Sequence, residues 1–364
     1  MTTQKIAIVG AGLAGVYAAY RLHGLGLEFE LFEARDRLGG RILSTATGGF
    51  DLGPTWFWPD CQPRMHALVA ELGLPVFQQY EQGDALIERW ATERVRREGY
   101  RSGNVSMRIQ GGTARLVQAL AASLPKTRVH LAAVVTGVAR VDERVHLSFS
   151  DKRIHTADYT HLWLALPPRL GKNLRMVPAL SGQEMQQMAN VPTWMASHAK
   201  YVARYAKPFW REQGLSGDAF SGVGPLAEIH DAGTDQGAAL FGFLGMDAAR
   251  RNGVGASALK ALCREQLVRL FGEEAADPLE DFFHDWAADP FTATPDDQVS
   301  PGWHGRHELQ CAPDAPWSEA LRWIGSEAGG EQGGYMEGAL AAVDKALDEV
   351  TGETGVRRLG SPHC

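Results

Sequence analysis

The sequence predicts an α/β fold, and three observations carry that expectation. A short apolar run, Lys5 to Val9, leads through a glycine-rich turn into a helix of small residues, Leu13 to Leu25, and then a second apolar run, Phe29 to Phe32. Continuous apolar runs of this length are typical of parallel strands buried on both faces. Glycine is in excess: 41 of 364 residues, about 11% against a usual ~7%. Such an excess calls for many tight turns or close backbone approaches to a ligand. The length suits two domains of about 150 residues each.

Composition excludes several classes. Hydrophobic residues are 45% and charged residues 22%, ordinary for a soluble globular chain, so wholesale disorder, collagen and a disulfide scaffold are set aside. A formal charge of −7 disfavours non-specific nucleic-acid binding. The four cysteines, Cys61, Cys263, Cys311 and Cys364, form no CxxC pair and suit a reduced, cytoplasmic protein. The first strand begins too early for a signal peptide to precede it. The apolar stretch from Ile6 to Tyr20 is too short and glycine-interrupted to cross a bilayer, so no membrane partner is expected. No GxSxG, HExxH or paired CxxC occurs, which sets aside the usual hydrolase and zinc signatures; no metal site is expected.

Further elements follow in order. Helices are expected over Pro63 to Leu72 and Gly111 to Leu124. Strands are expected over Arg128–Leu131, Val134–Val141, Arg144–Phe149 and His161–Leu166, the last stopped by Pro167-Pro168. Ala199 to Tyr205 alternates as a strand, Leu240–Leu244 reads as another, and Ala256 to Phe271 as a long amphipathic helix. Asp289 to Pro316 is dense in Pro, Asp and Gly and reads as a long functional loop. Trp323 to Gly325 is expected as the last strand and Met336 to Val350 as the last helix. The mixed-sign run with Arg89, Arg94, Arg96, Arg97 and Arg101 beside Glu88, Glu93 and Glu98 reads as a solvated face.

The N-terminal turn is Gly10-Ala11-Gly12-Leu13-Ala14-Gly15. Its first glycine makes the turn, its second admits a pyrophosphate and its third lets helix pack on strand. The helix N-terminus then offers unpaired N–H groups to phosphate. Glu33 ends the second strand 18 residues after Gly15, where an acid accepts from a ribose 2′-hydroxyl and repels a 2′-phosphate. Arg37-Leu38-Gly39-Gly40-Arg41 follows, with backbone free to approach phosphate and guanidinium groups beside it.

Through these motifs the sequence resembles the FAD-dependent amine oxidase family, the monoamine-oxidase-like flavoproteins. Phe50-Asp51-Leu52-Gly53-Pro54-Thr55-Trp56 is similar to the family's loop against the flavin ring. Gly111-Gly112 through Leu116 resembles its helix start, Val134-Val135 its adenine-holding strand, and Leu164 to Pro168 its apolar strand ending in proline. The resemblance implies non-covalent FAD held by Gly10, Gly12, Leu13, Ala14, Gly15, Glu33, Ala34, Arg35, Gly40, Arg41, Gly53, Pro54, Thr55, Trp56, Val135, Glu327, Gly334, Tyr335 and Met336.

It also implies two catalytic residues. Lys200, before Lys207-Pro208-Phe209-Trp210, resembles the family lysine that holds a water against flavin N5. Tyr335, in Gly333-Gly334-Tyr335-Met336-Glu337-Gly338, resembles one wall of an aromatic cage, and the helix opened by Met336 would stabilise the reduced flavin anion by its dipole. Lys207 faces the other way by the period of a strand and serves as a solvated control. The family's second cage tyrosine falls on Asp296 and its flavin-linking cysteine on Pro295, so the second wall is unassigned among Phe291, Trp303 and Trp56; Asp296 is expected as a solvated loop acid, the alternative being a partner for a second positive charge.

By this resemblance the fold is a discontinuous Rossmann-like FAD-binding domain (1–77, 111–189 and 291–364) interleaved with a smaller sheet-plus-helices substrate domain (78–110 and 190–290). The implied reaction is oxidation of an amine C–N bond to an imine, oxygen being reduced to hydrogen peroxide. The partners are a small amine and oxygen. A different flavin oxidoreductase of the same fold, such as an L-amino-acid oxidase with Arg64 on the carboxylate, or a desaturase, is the alternative. A flavin-free interaction protein on a related scaffold is another.

Overall fold

Five parallel strands form the sheet that the N-terminal apolar runs predict. Their order is Leu321–Trp323, His161–Leu164, Lys5–Val9, Glu28–Phe32 and Val129–His130. Ile6, Ala7 and Ile8 have no exposed surface, as expected where a parallel strand is covered on both faces. The computed structural model describes residues 4–90, 93–154, 157–300, 309 and 315–354.

The chain packs into two units, each built from separated stretches. The first comprises 1–41, 117–194 and 303–364, and the second 42–116 and 195–302. Residues 42–77, which the sequence reading grouped with the N-terminal domain, pack with the second unit, so the two units are similar in length. The interleaving therefore switches directly after Arg41.

In the first unit the helix Leu13–Gly24 buries eight of its twelve residues, including the unbroken run Leu13 to Ala19. Beside it lies the last helix, Met336–Thr354, and Tyr17 Oη donates to Asp344 Oδ1 at 3.0 Å. A three-stranded sheet, Arg175–Val177, Val135–Val141 and Arg144–Phe149, completes this unit. The last strand lies two residues earlier than the sequence suggests, with Ile324 N–H bonded to Leu164 O.

The second unit is organised on a seven-stranded sheet. Its order is Glu280–Asp285, Ala199–Tyr205, Ala238–Leu244, Leu226–Asp231, Leu215–Ser221, Asp84–Trp90 and Glu93–Arg97. Ala199, Tyr201, Ala203 and Tyr205 face the core beneath the helix Ala256–Phe271, which contributes Leu259, Cys263, Leu267 and Leu270. Val202, on the other face, packs with Phe50, Leu52, Ala239 and Phe241. The strand is thus covered on both sides, and period-2 geometry puts Lys200 on the face of Val202. The charged run lies partly in the edge strand Glu93–Arg97, exposed at every position, but Glu88 departs from the solvated reading: it is buried and paired with Arg269 at 2.8 Å. Among the described residues no helix is long and apolar enough to cross a membrane.

Candidate active site

In the first unit, two glycine loops meet backbone to backbone. Gly10 has φ +98°, and a side chain there would strike Ala165 O at 2.7 Å. A Cβ on Gly15 would sit 1.9 Å from Gly10 O, so only glycine lets the helix approach the turn this closely. Gly12 pairs with Gly39, and Gly39 N–H donates to Ala11 O at 2.8 Å. Leu13 and Ala14 are buried in the first helical turn.

Glu33 holds this turn from behind. Its Oε2 accepts from Ala11 N–H at 2.7 Å and its Oε1 from Arg35 N–H at 2.9 Å, with the Arg35 guanidinium at 3.5 Å. Each oxygen keeps a second lone pair for a hydroxyl. Ala34 follows, half-buried, and Val135 opens the neighbouring strand, 9% exposed. Arg37 turns back onto the carbonyls of Leu38 and Gly40.

Arg41 is the hub of the C-terminal part. Its guanidinium donates to Trp194 O, Ser326 Oγ and Glu327 Oε2 at 3.2, 2.8 and 3.2 Å. Glu327 is buried, and its Oε1 lies 2.8 Å from Arg41 Nη1 without an aligned hydrogen bond from any described residue. Gly334 has φ +85°, and a Cβ there would meet Trp194 Cβ at 2.6 Å. The Trp194 ring lies 6.1 Å from the half-buried Tyr335 ring. Met336 opens the last helix, so its N–H is among the first four that no intrahelical carbonyl reaches.

In the second unit, Lys200 is 1% exposed. Its Nζ donates to Thr55 Oγ1 at 2.5 Å and to Gly53 O at 3.2 Å. The Phe241 ring centroid lies 3.9 Å and that of Phe243 5.3 Å from Nζ. Burial pushes its pKa from 10.5 down to about 7; Asp51 opposes this and Arg108 adds to it. Lys207, by contrast, is exposed and paired with Glu212 at 2.8 Å. Pro54 O accepts from Thr113 Oγ1, and Trp56 Nε1 donates to Gln79 Oε1 at 2.8 Å. The Trp56 ring packs on His230 and Phe241.

The predicted residues therefore fall into two sets. Gly10 through Gly15, Glu33 to Arg35, Gly40, Arg41, Val135, Glu327 and Gly334 to Met336 belong to the first unit; Gly53 to Trp56 and Lys200 belong to the second. Of the candidates for a second aromatic wall, Phe291 is exposed at 38% and Trp56 half-buried, while Trp303 lies outside the described residues. Asp296 is exposed. Sequence reasoning missed Trp194 and the buried side chains of Asp51 and Arg108. An isolated tryptophan before a strand carries no pattern of its own, and neither does a lone arginine, Arg108, three residues before Gly111. Asp51 lay inside a recognised loop, but nothing local marked its burial.

These residues fit a flavin dinucleotide. The glycine turn aims a helix N-terminus, the positive end of its dipole, at a place where backbone lies open. Among the described residues the buried Glu327 Oε1 lacks an aligned donor, as expected of an acceptor shared with a ligand hydroxyl.

Comparison with known proteins agrees. The family model described as flavin containing amine oxidoreductase matches residues 76–346, and that of an NAD(P)-binding Rossmann-like domain matches residues 8–72. A putative flavin-containing monoamine oxidase of Mycobacterium tuberculosis is 27% identical, covering 96% of each chain. The putrescine oxidase of Kocuria rosea is 25% identical over 98% of this chain and 97% of its own. Among solved structures, cyclohexylamine oxidase from Brevibacterium oxydans superimposes with a TM-score of 0.82 at 20% identity, covering 97% of this chain and all of that one.

Proposed function

The chain belongs to the family of flavin-containing amine oxidoreductases, with FAD as its cofactor, and on that premise we propose that it oxidises a small amine at the expense of oxygen. The balanced reaction takes a primary amine, oxygen and water to an aldehyde, ammonia and hydrogen peroxide. FAD, held without a covalent link, supplies the two-electron acceptor.

The chain's own residues bind, orient and manage one proton. The Gly10–Gly15 turn and its helix take the pyrophosphate, and Glu33 takes a ribose hydroxyl. Arg41 and Glu327 serve the ribityl–phosphate stretch, and Val135 the adenine side. The N-terminus of the helix Met336–Thr354 favours negative charge, and within the second unit Gly53 and Thr55 hold Lys200. Tyr335, braced by Trp194, offers a ring face to a neutral amine.

Lys200 carries the reading. Two of its N–H groups are committed to Thr55 Oγ1 and Gly53 O. The remaining position is a lone pair when the amine is neutral and a third N–H when it is charged. A midpoint of about 7 lets it hold a solvent molecule in either state and pass a proton near neutrality.

The relatives' names point to alkylamines and diamines as substrates. A peroxidase-coupled assay over mono-, di- and polyamines and amino acids tests this. Peroxide and aldehyde formed in equal amounts from at least one small amine is expected. Peroxide from amino acids alone would reassign the substrate class.

A further inference from the structure

Gln79 is 5% exposed, and both ends of its side-chain amide are bonded. Its Oε1 accepts from Trp56 Nε1 at 2.8 Å, and its Nε2 donates to Asp231 O at 2.8 Å and to Tyr80 O at 3.2 Å. Turning the amide over would set N–H against N–H and oxygen against oxygen, so the three bonds fix its orientation. The clamp is anchored at each end. Gln79 follows the strand Val76–Gln78, which pairs with Met107–Ile109, and its own N–H donates to Ser106 O at 2.8 Å. Phe57, next to Trp56, exchanges two backbone hydrogen bonds with Met107, at 3.0 and 2.9 Å. Asp231 has no exposed surface, and its carboxylate accepts from Trp210 Nε1, the Arg211 guanidinium and Gly233 N–H at 2.7 to 2.9 Å.

The indole held this way lies against the rings that the lysine faces. Its centroid is 5.0 Å from that of His230, edge-on, 5.4 Å from Phe241 and 6.4 Å from Phe243. Lys200 Nζ lies over the same two phenylalanines, at 3.9 and 5.3 Å. They stand two residues apart on one strand and so share a face. Phe241 is 2% exposed, whereas Phe243 and Trp56 keep open surface. The last side-chain torsion of a tryptophan has two broad minima, and a partner for its single donor selects one of them.

We propose that Gln79 is a positioning residue that acts through Trp56: it fixes the indole so that Trp56 and Phe243 offer the substrate amine one aromatic wall. Such a wall takes the carbon skeleton by apolar contact and attracts an ammonium by its ring faces. The identity of the ligand rests on the amine-oxidase reading; the clamp does not.

The test uses the FAD-loaded protein. Indole N–H signals of 15N-labelled protein are followed by NMR, that of Trp56 being assigned by its loss in Trp56→Phe. Its exchange with solvent should quicken by about tenfold in Gln79→Leu, roughly the worth of one buried hydrogen bond. In peroxide assays with cyclohexylamine and with putrescine, Gln79→Leu should raise KM by about five- to tenfold and change kcat less, as when binding alone is loosened. Made in the Trp56→Phe background, the same substitution should add less than about twofold, because the group it acts through is gone. Should Gln79→Leu fail to fold, Gln79→Met keeps the unbranched length and is read in the same way. An exchange rate that does not move, or a KM effect undiminished in Trp56→Phe, would overturn the proposal. Added to protein whose flavin is already chemically reduced, so that no turnover occurs, either amine should shift the Trp56 signal; a signal that stays fixed with both would remove Trp56 from the wall. That readout holds even where neither amine is oxidised, an outcome in which the amine-oxidase reading alone fails.

Discussion

Lys200 Nζ lies 2.5 Å from Thr55 Oγ1, in a strand covered on both faces. That contact and the one to Gly53 O join the lysine strand to the Gly53–Trp56 loop and, among the described residues, leave one position on the amine uncommitted. Lys200→Met removes that position while keeping most of the packed stem. Flavin reduction or reoxidation should slow by at least about tenfold, a loss of about 1.4 kcal/mol of barrier lowering. Stopped-flow traces with both rates unchanged would remove Lys200 from the mechanism.

The same burial makes stability depend on pH with a definite sign. The folded-state pKa of about 7 lies below the ordinary 10.5, so between those values the unfolded chain binds more protons than the folded one. Stability from this group is lowest below pH 7 and rises through the window by about 1.4 kcal/mol per pH unit. Thermal melts of wild type and Lys200→Met at several pH values between 6 and about 10 would show it. The advantage of the methionine variant should shrink as pH rises, and a constant difference would count against the shifted lysine.

Two glycines of the first helix should respond oppositely to alanine. A Cβ on Gly15 meets Gly10 O at 1.9 Å, whereas one on Gly24 meets nothing within 4 Å. Gly15→Ala should cost about 3 kcal/mol and release the flavin. Gly24→Ala should be neutral or add up to about 1 kcal/mol. Melting temperature and flavin content of the purified variants separate these outcomes, and a flavin-replete Gly15→Ala would refute close approach at this turn.

Flavin attachment is expected to be non-covalent. Pro295 stands where a linking cysteine would fall, and the described cysteines are Cys61, exposed, and Cys263, buried. Acid precipitation should leave the yellow chromophore in the supernatant. A pellet that keeps its flavin through washing would show a covalent bond.

Much of the first unit was legible in the sequence because its signals are local. The strand Lys5–Val9, the turn to Gly15, the helix from Leu13 and the strand ending at Phe32 lie within 28 residues, and each constrains the next. The lysine strand and the helix Ala256–Phe271 were also readable at full length, since both keep a regular pattern. The edge strand Glu93–Arg97 was not: every residue is exposed, so no hydrophobic alternation marks it. The switch after Arg41 was hidden too, because residues 42–77 join the second unit through non-local packing, such as Trp286 Nε1 on Leu52 O. The environment of Lys200 depends on Asp51 and Arg108, 149 and 92 residues away in sequence, and no spacing rule connects them.

Anaerobic mixing of the purified holoprotein with a panel of small amines tests the central claim most directly, because it does not depend on the electron acceptor. At least one amine should bleach the oxidised-flavin absorption band, and admitting oxygen should restore it with peroxide. A flavin that a chemical reductant bleaches but no amine in the panel reduces would contradict the claim.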